Sequence, residues 1–346
     1  MVSWPSKRVM LLKDLRIDID EYILKVRQTL QDLRVHVREK VLLGIPTNFK
    51  LPTTDSQNEK TYGHSAFGSP NESLNNVDSA AFLGALLKDG RLCHRGPDGT
   101  VVWNHQRVNR WLADIHRSWS DIYCLMHIFS LPGRGTEEAL YSWANSTEGR
   151  RHLFVVSQVM AIISNYHKGH HITGLYKQVL RLIPNELAYI LAILLRVIRP
   201  IEVTVVAQFY TPADRKLKMK KLYSTRLFVT YGQEWHGDKL SLLIKTWWLK
   251  NMSLPVALSL HRQFTVGLQR QFVAYPKADP RRAVAQEAFA HGETADEMNY
   301  ARRHGDPSIP LSRQTLFKSV CGDYIGLYGI KDPAAYRSLQ DDSNIY

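Results

Sequence analysis

Cysteine is scarce in this chain, with three in 346 residues, and Cys93, Cys124 and Cys321 lie far apart. That spacing fits no zinc or haem pattern and no disulfide framework, so a stapled secreted fold is not indicated. No GxxxxGKS/T or GxGxxG segment occurs, which removes the two commonest phosphate-cradling loops. Long apolar runs are missing as well. The longest, Leu187 to Ile198, is interrupted by Arg196 and is too short to span a bilayer. Residues Met1 to Arg8 turn charged at once and show no signal peptide, so the expectation is a soluble, intracellular protein with no membrane contact. Acidic residues are also in short supply: 32 Asp and Glu stand against 45 Lys and Arg.

The resulting net charge is +13, with a pI near 9.6. This excess points to a polyanionic partner, nucleic acid before an anionic membrane surface. It is concentrated: residues 161–230 hold eleven basic side chains against Glu186, Glu202 and Asp214. A hydrophobic content of 44% with 10% aromatics is enough for real cores, and the length suits two domains with tails.

Residues 9–43 carry apolar positions at helical spacing between charges of both signs, which predicts one long or two short amphipathic helices. Residues 44–78 are rich in Ser, Asn, Pro and Gly and read as a flexible loop or linker. Helical patterns return over 80–88, 104–116 and 119–129, with Trp111 and Trp119 expected in a helical core. Residues 152–156, 159–164 and 179–184 are strand-like, with Lys168 and Gly169 at a turn. An apolar helix then starts at Asn185 or Glu186 and stops before Pro200. Further helices are expected over 238–251, 256–272, 283–290 and 296–303, followed by a detached apolar segment, 311–330. Helices, a small antiparallel sheet and helices again make an α+β fold that is mostly α.

Four stretches carry candidate chemistry. Arg134 stands at a helix start within Leu131-Pro132-Gly133-Arg134-Gly135-Thr136-Glu137, and Lys168 precedes a glycine at a turn. Arg262 closes Ser259-Leu260-His261-Arg262, and Tyr300 follows His291 by nine residues. Cleaving a phosphodiester without a metal requires a nucleophile in line, guanidinium groups on the equatorial oxygens and an acid for the leaving oxygen. Arginine suits the second task because its planar fork binds two phosphate oxygens and stays charged.

In order and texture, these residues resemble the tyrosine recombinases (the phage-integrase class) over roughly residues 100–305. More narrowly, the chain resembles the recombinase-like proteins of fungal Crypton-type elements and the matching segments near fungal RecQ-like helicase genes. The class has a pattern close to T-G-x-R-x-x-E at a helix start, which Gly133, Arg134 and Glu137 follow. Arg134 would then bind the scissile phosphate, buttressed by Glu137. Lys168 would be the general acid, Arg262 would complete the arginine clamp, His291 would contact the phosphate, and Tyr300 would be the nucleophile. Ser259 stands where the class usually has histidine, and His261 points elsewhere on a helix.

The resemblance implies N-terminal helices (1–43), a linker (44–78), a helical core-binding-like region (79–130), a catalytic domain (131–305), and a C-terminal helix and tail (306–346). The architecture would be a helical N-terminal DNA-clasping domain beside a recombinase-like catalytic domain with a small antiparallel β-sheet. The C-terminal helix would dock on a neighbouring protomer or on its own domain. The implied partners are double-stranded DNA and a dimer or tetramer of the same chain, acting in the nucleus without a cofactor or metal. The alternative is a DNA-binding remnant of a mobile element or helicase-linked protein without strand transfer.

Overall fold

Strict alternation decides the first elements. In Val9-Met10-Leu11-Leu12 and Leu15-Arg16-Ile17-Asp18, the buried side chains are Met10, Leu12 and Ile17, while Arg16 faces solvent. That is the two-residue period of a strand, and residues expected as helix form an antiparallel sheet. Its order is β1 (Val2–Ser6), β2 (Val9–Leu12), β3 (Leu15–Asp18). The computed structural model describes residues 2–47, 49–68, 76–166, 177–276, 278–288 and 309–330. Lys168, His291 and Tyr300, and the helix expected over 296–303, lie outside them.

Helix α1 (Ile19–His36) starts where the Asp18 carboxylate accepts from the amides of Asp20 and Glu21. Tyr22, Val26, Leu30 and Leu33 line its buried stripe, and a π-helical turn, Val37–Val41, extends it. Residues 44–68 were expected as a flexible linker; they are irregular but pinned. Phe49 and Phe67 are buried, and the sealed Asp55 carboxylate receives Nη2 of Arg151 at 2.5 Å and the Val155 amide at 3.1 Å. The polar composition was read correctly, but two phenylalanines and one buried ion pair override it.

Helix α2 (Val77–Asp89) is capped by Asn76 and ends at Gly90 in the left-handed region. A short hairpin, β4 (Cys93–Arg95) with β5 (Val101–Trp103), leads into α3 (His105–Phe129). The two helices expected here are one, and the buried Ser118 within it satisfies its hydroxyl on the Asp114 carbonyl. Trp111 and Trp119 are core residues. After the short α4 (Gly135–Glu138) comes a second antiparallel sheet of β6 (Leu153–Val156), β7 (Val159–Tyr166) and β8 (Lys177–Leu182). Ser157 and Gln158 both have positive φ, as a two-residue hairpin turn needs.

The apolar helix α5 (Asn185–Ile193) does not stop before Pro200. A π-helical turn, Leu194–Ile198, relays it into α6 (Arg199–Phe209), with Pro200 in the first turn, where its missing N–H costs nothing. Then follow α7 (Lys216–Thr225), a minimal hairpin of β9 (Val229–Thr230) and β10 (Gln233–Glu234), α8 (Gly237–Met252), α9 (Leu258–Phe272), α10 (Pro280–Ala288) and α11 (Leu311–Gly326). Mixed α+β, mostly α, describes the chain.

Buried residues from Met10 to Tyr328 form one contiguous core. Tyr22 of α1 stacks on Trp248 of α8 at 5.0 Å and meets Phe264 of α9 edge-on at 4.7 Å. Met10 and Val2 crowd Gly267 of α9, where a Cβ would come within 2.9 Å of Met10 Cε. The N-terminal segment thus packs directly on α8 and α9. Helix α11 packs against β8 of its own chain, with the buried Cys321 thiol 3.6 Å from the Leu180 carbonyl.

The pinned segment gives a stability prediction. Arg151→Leu strands a buried carboxylate and should cost about 3–5 kcal/mol in chemical denaturation. Limited proteolysis of that variant should cut first within residues 44–68. Unchanged stability would mean that the segment is not held by this pair.

Candidate functional site

The turn that presents Arg134 begins where α3 ends at Ser130. Leu131 is buried with φ at +59°, a conformation uncommon for a residue with a side chain. Its carbonyl accepts Nε of Arg181 at 2.7 Å, which holds the strained residue in place. Gly133 follows in a tight spot: a Cβ would sit 3.2 Å from Glu137 Oε2, Glu138 Cγ and the Tyr141 hydroxyl, so these side chains would have to give by a few tenths of an ångström. Arg134 is then the extended residue at the N-cap of α4, exposed, with its amide 3.4 Å from Glu137 Oε2. At Gly135 a Cβ would sit 3.2 Å from Leu258 Cδ2 at the start of α9 and 3.7 Å, an ordinary contact, from Gly237 Cα of α8.

Glu137 accepts Nη1 of the buried Arg181 at 3.1 Å and the hydroxyl of Ser164 on β7. Glu138 faces the other way into the helical body. Its buried carboxylate takes the Tyr123 hydroxyl at 2.8 Å, Nδ1 of His127 at 2.8 Å and the Gly133 amide at 2.9 Å. Burial pushes the Glu138 carboxyl up, but His127 and the other donors outweigh it and hold it below the usual range. Burial likewise opposes charge on Arg181, and Tyr141 with the two carboxylates restores it.

Arg262 comes to this turn from α9. It is half-buried, and its pKa is lowered, first by burial and then by the like charge of Arg134, with Glu138 and Glu137 offsetting part of the effect. Two arginines far apart in sequence thus act on one another's charge, and the carboxylates that offset part of this, Glu138 and Glu137, are also bonded to Arg181, Ser164, His127 and Tyr123. A doubly oxygenated anion such as a phosphodiester answers that arrangement.

Ser259 lies one helical turn before Arg262 and is exposed. His261 is fully buried and turns into the core, with Nε2 3.3 Å from the Tyr22 hydroxyl, so it does not stand in for the missing histidine. Of the residues singled out in the sequence, Arg134, Glu137 and Arg262 come together and Ser259 sits beside them. Arg181, Ser164, Glu138 and His127 were missed. Arg181 left a signal, being a charged residue inside the apolar strand Val179-Leu180-Arg181-Leu182.

A second basic feature is α7, a helix not expected from the sequence. It buries Met219 and Tyr223 and exposes Lys216, Lys218, Lys220 and Lys221, with Arg215 just before it. Arg226, at its end, bonds the Leu140 carbonyl at 3.1 Å, which ties the basic helix to the chain leaving α4. Among the described residues no group of three or more His, Cys, Asp or Glu is placed to hold a metal ion. No helix among them is long and apolar enough to cross a membrane. Comparison with models of known protein families, with curated proteins and with solved structures gave no match.

The strain between the two arginines is measurable. Arg262→Gln removes a half-buried charge on which a like charge acts, and should raise stability by about 1 kcal/mol. A loss of stability in chemical denaturation would mean that the fold itself neutralises Arg262.

Proposed function

We propose that the chain binds double-stranded DNA and is a recombinase-like strand transferase working through a tyrosine nucleophile. One observation carries the reading: Arg134, at the head of α4, and Arg262, on α9, come from distant parts of the chain to where the charge of one acts on the other. The like charge of the exposed Arg134 acting on the half-buried Arg262 is a cost to the fold that a phosphate bound by both would relieve. The basic face of α7 and the net charge of +13 support a long polyanion as the partner, with most contacts going to the backbone.

In this reading the Tyr300 phenolate attacks the scissile phosphorus, forming a 3′-phosphotyrosyl bond as the bond to the 5′ oxygen breaks. Lys168 gives its proton to that oxygen, Arg134 and Arg262 hold the equatorial oxygens, and His291 contacts the same phosphate. Residues 131–305 would be the catalytic unit, built on the sheet β6–β7–β8. The N-terminal elements would clasp the duplex. The reaction would take place in a dimer or tetramer on DNA, in the nucleus, as in a Crypton-type element.

Ser259 favours a second reading, a DNA-binding remnant that has lost strand transfer. It puts a hydroxyl where the class has an imidazole, and His261 is buried out of reach.

A trapping assay separates the two. The purified protein, incubated with a library of nicked suicide duplexes, should form an adduct that survives a denaturing gel and is absent in Tyr300→Phe. That variant should bind DNA as tightly as the parent, because the basic surface is unchanged. Tight, salt-sensitive binding with no adduct would favour the remnant. Loss of binding in Tyr300→Phe would contradict the role given to that residue.

A further inference from the structure

A sealed polar cluster lies behind the arginine pair, and the proposed chemistry uses none of it. His127, in the last turn of α3, is 1% exposed, and Glu138 is 2% exposed. Nδ1 of His127 donates to the Glu138 carboxylate at 2.8 Å, and the same carboxylate receives the amide of Gly133, the residue before Arg134, at 2.9 Å. On its other side, the His127 ring lies 5.0 Å from the ring of His261, tilted by 38°. His261 is the residue before Arg262. A single imidazole therefore touches both elements that carry the arginines.

The protonation states make this contact specific. Burial pushes the Tyr22 phenol well above its ordinary pKa, and its hydroxyl lies 3.3 Å from Nε2 of His261. Burial, and then the neighbouring His127, push His261 well below its ordinary pKa and keep it neutral. Only one ring nitrogen of His261, Nε2, is within reach of the Tyr22 hydroxyl, which leaves Nδ1. Among the described residues neither that nitrogen nor Nε2 of His127 has a hydrogen-bond partner. Two unsatisfied ring nitrogens in a core are a stability cost that leucine or phenylalanine would avoid. Their retention fits a need for fixed geometry.

We propose that His127 and Glu138 are positioning residues: His127 is wedged between α4 and α9 and, through Glu138, sets the separation of Arg134 and Arg262. The proposal rests on the reading of these arginines as one phosphate clamp. Neither residue touches DNA, and the effect is on where the guanidinium groups stand.

The test compares His127→Leu, which removes the donor, with His127→Asn, whose side-chain amide places an N–H near the Nδ1 position. Each full-length variant is first shown to be folded, then assayed at saturating nicked duplex. His127→Leu should keep its DNA affinity but form the covalent adduct about 100-fold more slowly, the scale of an ångström-level misplacement. His127→Asn should recover most of that rate. A parent-like rate in folded His127→Leu, or a loss in both variants that follows their unfolded fraction, would overturn the proposal. If the parent forms no adduct, the transferase reading fails, and amide hydrogen exchange still decides the positioning role. Gly133 should exchange faster in His127→Leu with the rest of α3 and α9 unchanged; unaltered protection at Gly133 would overturn it.

Discussion

Two adjacent carboxylates hold the turn that presents Arg134, and they reach in opposite directions. Glu137 is fixed to the sheet through Arg181 and Ser164, and Glu138 is fixed to the helical body through His127 and Tyr123. The turn is a rivet between the sheet β6–β7–β8 and the helices packed around α3. Leu131 can be held in a left-handed conformation there because the Arg181 guanidinium, already bonded to Glu137, also grips the Leu131 carbonyl. Removing either carboxylate would free one side of the rivet and leave its buried partners unsatisfied.

That constraint explains how two positive groups can face one another. Arg134 is exposed but its backbone sits at the fixed head of α4, and Arg262 is on a helix gripped by the N-terminal sheet at Gly267. The stability given up at the pair is carried by the surrounding core, where Tyr22 alone meets Trp248, Phe264 and Trp247. Sites that must bind charge accept this kind of local cost, and the gain appears only with the ligand in place.

Much of this was legible in the sequence. The three strands after Arg134, the helix that carries Arg262 and the burial of Trp111 and Trp119 follow from period and composition, and Arg134 does stand at a helix start. What failed shows where local reasoning stops. The run Val9-Met10-Leu11-Leu12 looks helical beside the amphipathic helix that follows it, and only its pairing with Leu15–Asp18 makes it a strand. Pro200 reads as a stop, yet the preceding π-helical turn takes it into the first turn of the next helix. The segment 44–68 reads as solvent-facing because the partner of Asp55, Arg151, is remote in sequence. His127 and Glu138 carry no local mark at all: their meaning lies in contacts between α3, α4 and α9 that only the fold creates.

The central claim is that Arg134 and Arg262 act on one phosphate. A double-mutant cycle on DNA binding addresses it directly, with dissociation constants for a single nicked duplex at one salt concentration for the parent, Arg134→Ala, Arg262→Ala and the double variant. If the two share a phosphate, either single change removes most of what the pair contributes, and the coupling is about 1 kcal/mol or more. Additive losses would mean that the arginines bind separate phosphates, and the shared clamp would be contradicted.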